Sequence, residues 1–256
     1  MDKLIKLHIP TQTFKSFLRS ISKINNSIII KIKDYKMEVL TSSDGGSIIM
    51  LSTLNLPEIE DNNIDLELPI IDISKLVKIC DFATEDEILL EIDDNIIRYK
   101  NDVIRLKFYL AEKSIITVPP QVTSERFKAF PISFSTNLTR EKINQLEKGF
   151  GFVKSASGEM KVYFYVEEGI LYGELTDYSS QSTDSFRIAL TSDFAGTLNG
   201  RIPIKFDNWN LTDLPNSNII FETSVVKRKS LTYNILFIRQ SSENLEYSYL
   251  IQALKN

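Results

Sequence analysis

The sequence predicts an α+β protein made of two similar halves. Three observations lead there. An amphipathic helical segment precedes a series of short strand-like runs, and the same order of segments returns after a proline-bearing break. The chain has 256 residues with 43% hydrophobic side chains, enough for two ordinary domains.

From Pro10 to Ile24, the residues Phe14, Phe17, Leu18, Ile21 and Ile24 fall on one helical face, while Lys15, Arg19 and Lys23 follow at i+4 on another. Strand-like runs come next: Ser27–Lys33, Lys36–Leu40, Ser47–Leu56 and Asp65–Ile70. Asp34-Tyr35 and Ser43-Asp44-Gly45-Gly46 break them as turns. A second helix is predicted from Ile73 to about Phe82. Asp72 is its N-cap, Ile73, Leu76, Val77 and Cys80 its inward side, and Lys75 and Lys78 its outward side. Glu87–Ile92, Ile96–Lys100 and Val103–Leu110 close the first half as a meander, with turns at Asp93-Asp94-Asn95 and Asn101-Asp102.

Periodicity lapses between Ala111 and Pro131, where Pro119-Pro120 suits neither a helix nor a central strand. The expected organisation is therefore a domain over 1–110, a connector over 111–131 and a domain over 132–256. The second half is expected to hold a helix near Leu138–Phe150, strands Met160–Val166, Gly169–Leu175, Asp184–Leu190 and Arg201–Lys205, a helical turn near Asp207–Leu214, and strands Ser217–Val226, Leu231–Arg239 and Leu245–Ile251. Its helix sets Arg140, Asn144 and Lys148 opposite Ile143, Leu146 and Phe150, with Lys154 just beyond. Shared order without shared sequence is the pattern of a diverged duplication.

Thirty basic residues stand against 34 acidic ones, a net charge of −4, which argues against a general polyanion binder. The distribution is uneven. Lys3, Lys6, Lys15, Arg19 and Lys23 face Asp2 alone before residue 25, a net +4, whereas acid collects at Glu58–Glu67 and Glu85–Asp94. The single histidine, His8, makes a His-dependent triad or His-rich metal site unexpected. No phosphate-cradling glycine loop is present, and Gly45-Gly46 fits a hairpin turn. Asp93-Asp94 and Glu85-Asp86-Glu87 read as solvated charge, and Cys80 as a buried thiol. No cofactor, metal or catalytic residue is expected. The opening MDKLIKLHIPTQTF lacks the pattern of a secretory signal and no apolar run approaches ~20 residues, so an intracellular protein without a membrane partner is expected.

Three segments resemble the DNA polymerase sliding clamps, the T-even bacteriophage type more than the bacterial β subunit, a group related to proliferating cell nuclear antigen. They are KMEVLTSSDGGSIIMLSTL (Lys36–Leu54), LPIIDISKLVKI (Leu68–Ile79) and IRLKFYLAEKSIITVPP (Ile104–Pro120). The order of elements matches over nearly the whole chain. The resemblance implies two clamp-type domains, each with two helices packed on antiparallel sheet, and three copies closing a ring around double-stranded DNA. It also implies a non-catalytic processivity factor that tethers a replicative DNA polymerase, needs an ATP-dependent clamp loader and works in the cytoplasm of a phage's host. By spacing, Lys15, Arg19, Lys23, Lys75, Lys78, Arg140, Lys148 and Lys154 would face DNA without reading bases. The fourth expected helix, FDNWNLTDLP, has no basic residue; Lys205 or Lys227-Arg228-Lys229 would compensate, though that cluster also reads as a solvated turn. Val103–Leu110 would meet Asp184–Leu190 of the next subunit. A partner-peptide pocket would fall at Leu40, Ile116, Val118, Pro119 and Ile251, positions equally readable as interdomain core. A virion structural or assembly protein built from repeated α+β halves is the alternative.

Overall fold

Two hairpins show how local sequence shapes the chain. Asp34 and Tyr35 take positive φ of 48° and 58°, and Glu168 and Gly169 take 50° and 75°. Consecutive left-handed residues are the signature of a two-residue turn whose twist matches that of its strands. In the computed structural model these turns join the second and third strands of two separate units. The structure describes residues 4–57, 64–93, 95–119, 123–153, 160–176, 184–205, 217–228 and 231–254. One unit comprises Met1–Phe127 with Glu243–Tyr247, the other Lys128–Ser242 with Ser248–Asn256. Most of the expected connector thus groups with the first unit.

The first unit runs β1 (Ile5–Pro10), α1 (Thr11–Ser22), β2 (Ile28–Lys33), β3 (Lys36–Ser42), β4 (Ile48–Asn55), β5 (Asp65–Ile70), α2 (Ile73–Phe82), β6 (Glu87–Asp93), β7 (Ile96–Lys100) and β8 (Arg105–Tyr109). One antiparallel sheet has the order β1-β6-β7-β8, and a second carries β4-β3-β2-β5. Both helices bury the stripes their spacing dictates: Phe14, Phe17, Leu18 and Ile21 on α1, and Ile73, Leu76, Ile79 and Cys80 on α2. Val77, expected inside, is half-buried, and Ile79 takes its place. Asp72 precedes α2 as expected but makes no side-chain capping bond.

A 3-10 turn (Lys113–Ile115) and a short helix, α3 (Ser124–Lys128), follow. The expected connector therefore holds helix just beyond its Pro-Pro pair.

The second unit runs β9 (Phe134–Leu138), α4 (Arg140–Phe152), β10 (Lys161–Glu167), β11 (Ile170–Thr176), β12 (Phe186–Thr191), β13 (Ala195–Gly196), β14 (Ile202–Lys205), β15 (Asn218–Arg228), β16 (Leu231–Ser241) and β17 (Leu245–Gln252). Its sheet orders are β12-β11-β10-β14 and β13-β9-β15-β16-β17. With the two-residue β13 set aside as an addition beyond β9, the eight main strands of each unit fall into the same arrangement: first-sixth-seventh-eighth in one sheet, fifth-second-third-fourth in the other. The duplication is therefore topological. The helical turn expected at 207–214 lies outside the described residues, so the helices described are α1 and α2 in the first unit and α4 in the second, besides short α3.

Strands β1 and β9 had not been expected. IKLHIP runs straight into Thr11, which hid the strand ahead of the helix. FSTNL alternates Phe134, Thr136 and Leu138 inward, and the buried Thr136 hydroxyl donates to the Asp193 carbonyl, so a polar residue occupies a core position.

Candidate nucleic-acid interface and strand edges

The basic face of the first unit is built on α1 and α2, which pack against each other. Thr11 anchors α1: its amide donates to the Asp86 carbonyl at 2.8 Å and its hydroxyl to the Glu85 carbonyl at 2.7 Å. Lys15, Arg19, Lys75 and Lys78 project from the helices, and Lys23 lies just past the end of α1. Arg19, Lys23, Lys75 and Lys78 are exposed. Lys15 differs. Its side chain is 19% exposed, and its ammonium sits 2.6 Å from Asp81 Oδ1. The Arg19 guanidinium reaches the same oxygen at 3.4 Å from a side chain 56% exposed. The Lys15 hydrogen bond, opposed by partial desolvation and aided by the two positive charges, holds the Asp81 carboxyl below its usual value. Lys75 lies 3.8 Å from Asp72. Lys23 and Lys78 have no ion-pair partner among the described residues. Asp81 was not foreseen; only the packing of α2 on α1 brings it to the Lys15–Arg19 row.

On α4, Thr139 caps the helix by accepting from the Lys142 amide at 3.4 Å. Arg140 is half-buried and Lys148 exposed; Lys154 lies outside the described residues. Phe150, expected on the buried side, is 37% exposed. Gly149 takes the inward position after Ile143 and Leu146. Space explains this: a Cβ built on Gly149 would come within 2.2 Å of Phe186 Cδ1, so the ring of β12 fills the room a side chain would need.

Beside that contact is an apolar groove of about 500 Å³ lined by Gln145, Lys148, Gly149, Phe152, Phe186 and Ile188. Phe152 is 65% exposed. Lys148 is thus at the rim of an apolar groove as well as on the basic side of α4. The edge strand β12 is tied to β11 by the Arg187 guanidinium, 3.7 Å from the Tyr172 ring centre, and farther along the same sheet Arg201 lies 4.1 Å from the ring centre of Tyr165. The Tyr165 hydroxyl donates to Glu174 at 2.8 Å. Burial and then that bond push its pKa to about 12, so it stays a donor at neutral pH.

Both strands expected at subunit contacts lie at sheet ends, β8 beside β7 and β12 beside β11. Tyr109 on β8 is 67% exposed and Val103, just before it, 90%. Among the expected pocket residues, Leu40 on β3 is half-buried, Ile116 and Pro119 are buried, and Val118 is 51% exposed, all in the first unit. Ile251 on β17 is 1% exposed and belongs to the second unit. Lys205 ends β14, and Lys227 and Arg228 end β15, while Lys229 lies outside the described residues.

Burial pushes the Cys80 thiol to about 12, so it is a packed apolar group and no nucleophile at neutral pH. Among the described residues no cluster of His, Cys, Asp or Glu could hold a metal ion, and no helix is long and apolar enough to cross a membrane.

The fold is that of the sliding clamps. Archaeal and eukaryotic PCNA and bacterial beta clamps share it. PCNA of A. fulgidus, solved with the C-terminal region of FEN-1, matches with a TM-score of 0.71 at 12% identity, covering 98% of this chain and 99% of that one. Proliferating cellular nuclear antigen from Entamoeba histolytica matches at 0.71 and 10% identity over 100% of both chains. The Helicobacter pylori beta clamp bound to a DNA ligase peptide matches at 0.64 and 11% identity, over 98% of this chain and 67% of that one. No family model and no curated protein sequence matches.

Proposed function

We propose that the chain is a sliding clamp of the T-even bacteriophage type: a non-catalytic homotrimer that encircles duplex DNA and tethers a replicative polymerase in the host cytoplasm, opened by an ATP-dependent loader. The carrying observation is the duplicated eight-strand topology and the edges it leaves open. In the first repeat the eighth strand, β8, ends a sheet, and in the second the fourth, β12, does. Exposed apolar groups flank both, Val103 and Tyr109 at one, Phe152 and the groove at the other. Open apolar edges call for a partner, and two unlike edges join head to tail.

In this reading Lys15, Arg19, Lys23, Lys75, Lys78, Arg140, Lys148 and Lys154 meet phosphates without reading sequence. The first-unit positions Leu40, Ile116, Val118 and Pro119 receive a client's peptide, a role supported by the peptide-bound clamps among the structural neighbours. Light scattering tests the assembly: a discrete trimer of 29.3 kDa subunits is expected. That trimer should stay on nicked circular DNA and run off once the circle is cut. An open-ended series of masses would overturn the ring in favour of a structural assembly protein.

A further inference from the structure

The α1–α2 face is less basic than its sequence. On it Asp81 holds Lys15 at 2.6 Å and Arg19 at 3.4 Å, while Asp72 stands 3.8 Å from Lys75. Lys15, largely covered, has little reach beyond that pair. Arg19, more than half exposed, could turn to a phosphate but is held by a neighbour of opposite charge. Lys23 and Lys78 keep no such restraint among the described residues.

We propose that Asp81 is a positioning residue that attenuates this face, drawing Arg19 back from the duplex so that the protein grips DNA weakly enough to move along it. The inference rests on the reading of α1 and α2 as the DNA-facing helices. A cation already paired must give up its carboxylate before it can displace a counterion from DNA, so its contribution to binding is largely cancelled. Removing the carboxylate returns about one phosphate contact. By counterion release, one contact steepens the slope of log K against log salt by about 0.9 and tightens binding roughly tenfold near ~50 mM salt, less as salt rises.

Fluorescence anisotropy on a labelled 30-base-pair duplex, over a range of salt, tests this with the full chain. Asp81→Asn keeps the shape and removes the charge, and Asp81→Ala guards against an Asn side chain that still holds Arg19. Both should bind several-fold more tightly at low salt with a steeper salt slope. A structural tie alone would change the melting temperature and leave the slope untouched. Folded variants with unchanged affinity and slope, or with weaker binding, would overturn the proposal. A third variant, Lys23→Glu/Lys75→Glu/Lys78→Glu, alters no residue that touches Asp81. If it loses binding while the Asp81 variants match wild type, the DNA-facing assignment stands and the attenuation falls. If it binds as wild type does, both fall.

Discussion

Gly149 is where α4 and β12 come closest, and two effects compete there. Alanine in place of a helical glycine gains up to about 1 kcal/mol of helix propensity, less in a last turn such as this. Its Cβ, however, would meet Phe186 at Cδ1, Cε1 and Cγ, at 2.2, 2.5 and 2.7 Å, so the inner atoms of the ring must move along with its tip. Overpacking of that kind costs about 1–3 kcal/mol. Gly149→Ala is therefore expected to lower stability by about 1 kcal/mol net, read as an earlier midpoint in urea. A later midpoint would show that the Phe186 ring swings aside freely. Gly149 also marks how far local reading goes: i, i+3 spacing located Ile143 and Leu146, but the assignment of Phe150 to the core failed because the room beside α4 is filled from a distant strand.

At the scale of elements, the β7–β8 hairpin sets like charges opposite one another. Arg98 pairs in register with Lys107, and Lys100 with Arg105. Each like-charged pair directly across a sheet destabilises it. Asp93 relieves Arg98 at 2.7 Å and Glu91 relieves Lys100 at 3.4 Å, while Arg105 and Lys107 have no ion-pair partner among the described residues. Lys107→Glu turns one repulsive pair attractive and should raise stability by about 0.2–1 kcal/mol, seen as a higher melting temperature at low salt that fades as salt is added. A lower melting temperature would mean the repulsion is already dissipated in solvent. Most strands were legible as short apolar-rich runs between clear turns, as in ILLEI and IIRY. β1 and β9 were not. One merges with the helix after it, and the other spends a core position on Thr136, whose burial depends on a carbonyl supplied by Asp193.

At the scale of the whole molecule, assembly is the property most open to a single change. Ile188 lines the groove beside α4 on the edge strand β12. A carboxylate there keeps the β-strand's backbone but has to be desolvated if that edge is covered. Ile188→Asp is expected to shift the solution mass from trimer to single chain with the circular dichroism spectrum retained; a variant still trimeric would remove β12 from the proposed joint. The basic face was legible in outline because lysines at i+4 spacing need only a helix to align them. What tempers it was not, since Asp81 meets Lys15 and Arg19 only when α2 docks on α1. The apolar groove likewise joins α4 to a strand well beyond it in sequence, and no window along the chain contains both.

The two open edges are unlike, one an eighth strand and the other a fourth. Copies joined only through such a pair all point the same way around the circle, so the proposed ring has two chemically different faces. A partner docking on one face would confer direction on a protein that reads no sequence. A ring threaded backwards would encircle the duplex as securely and present that partner nothing to hold.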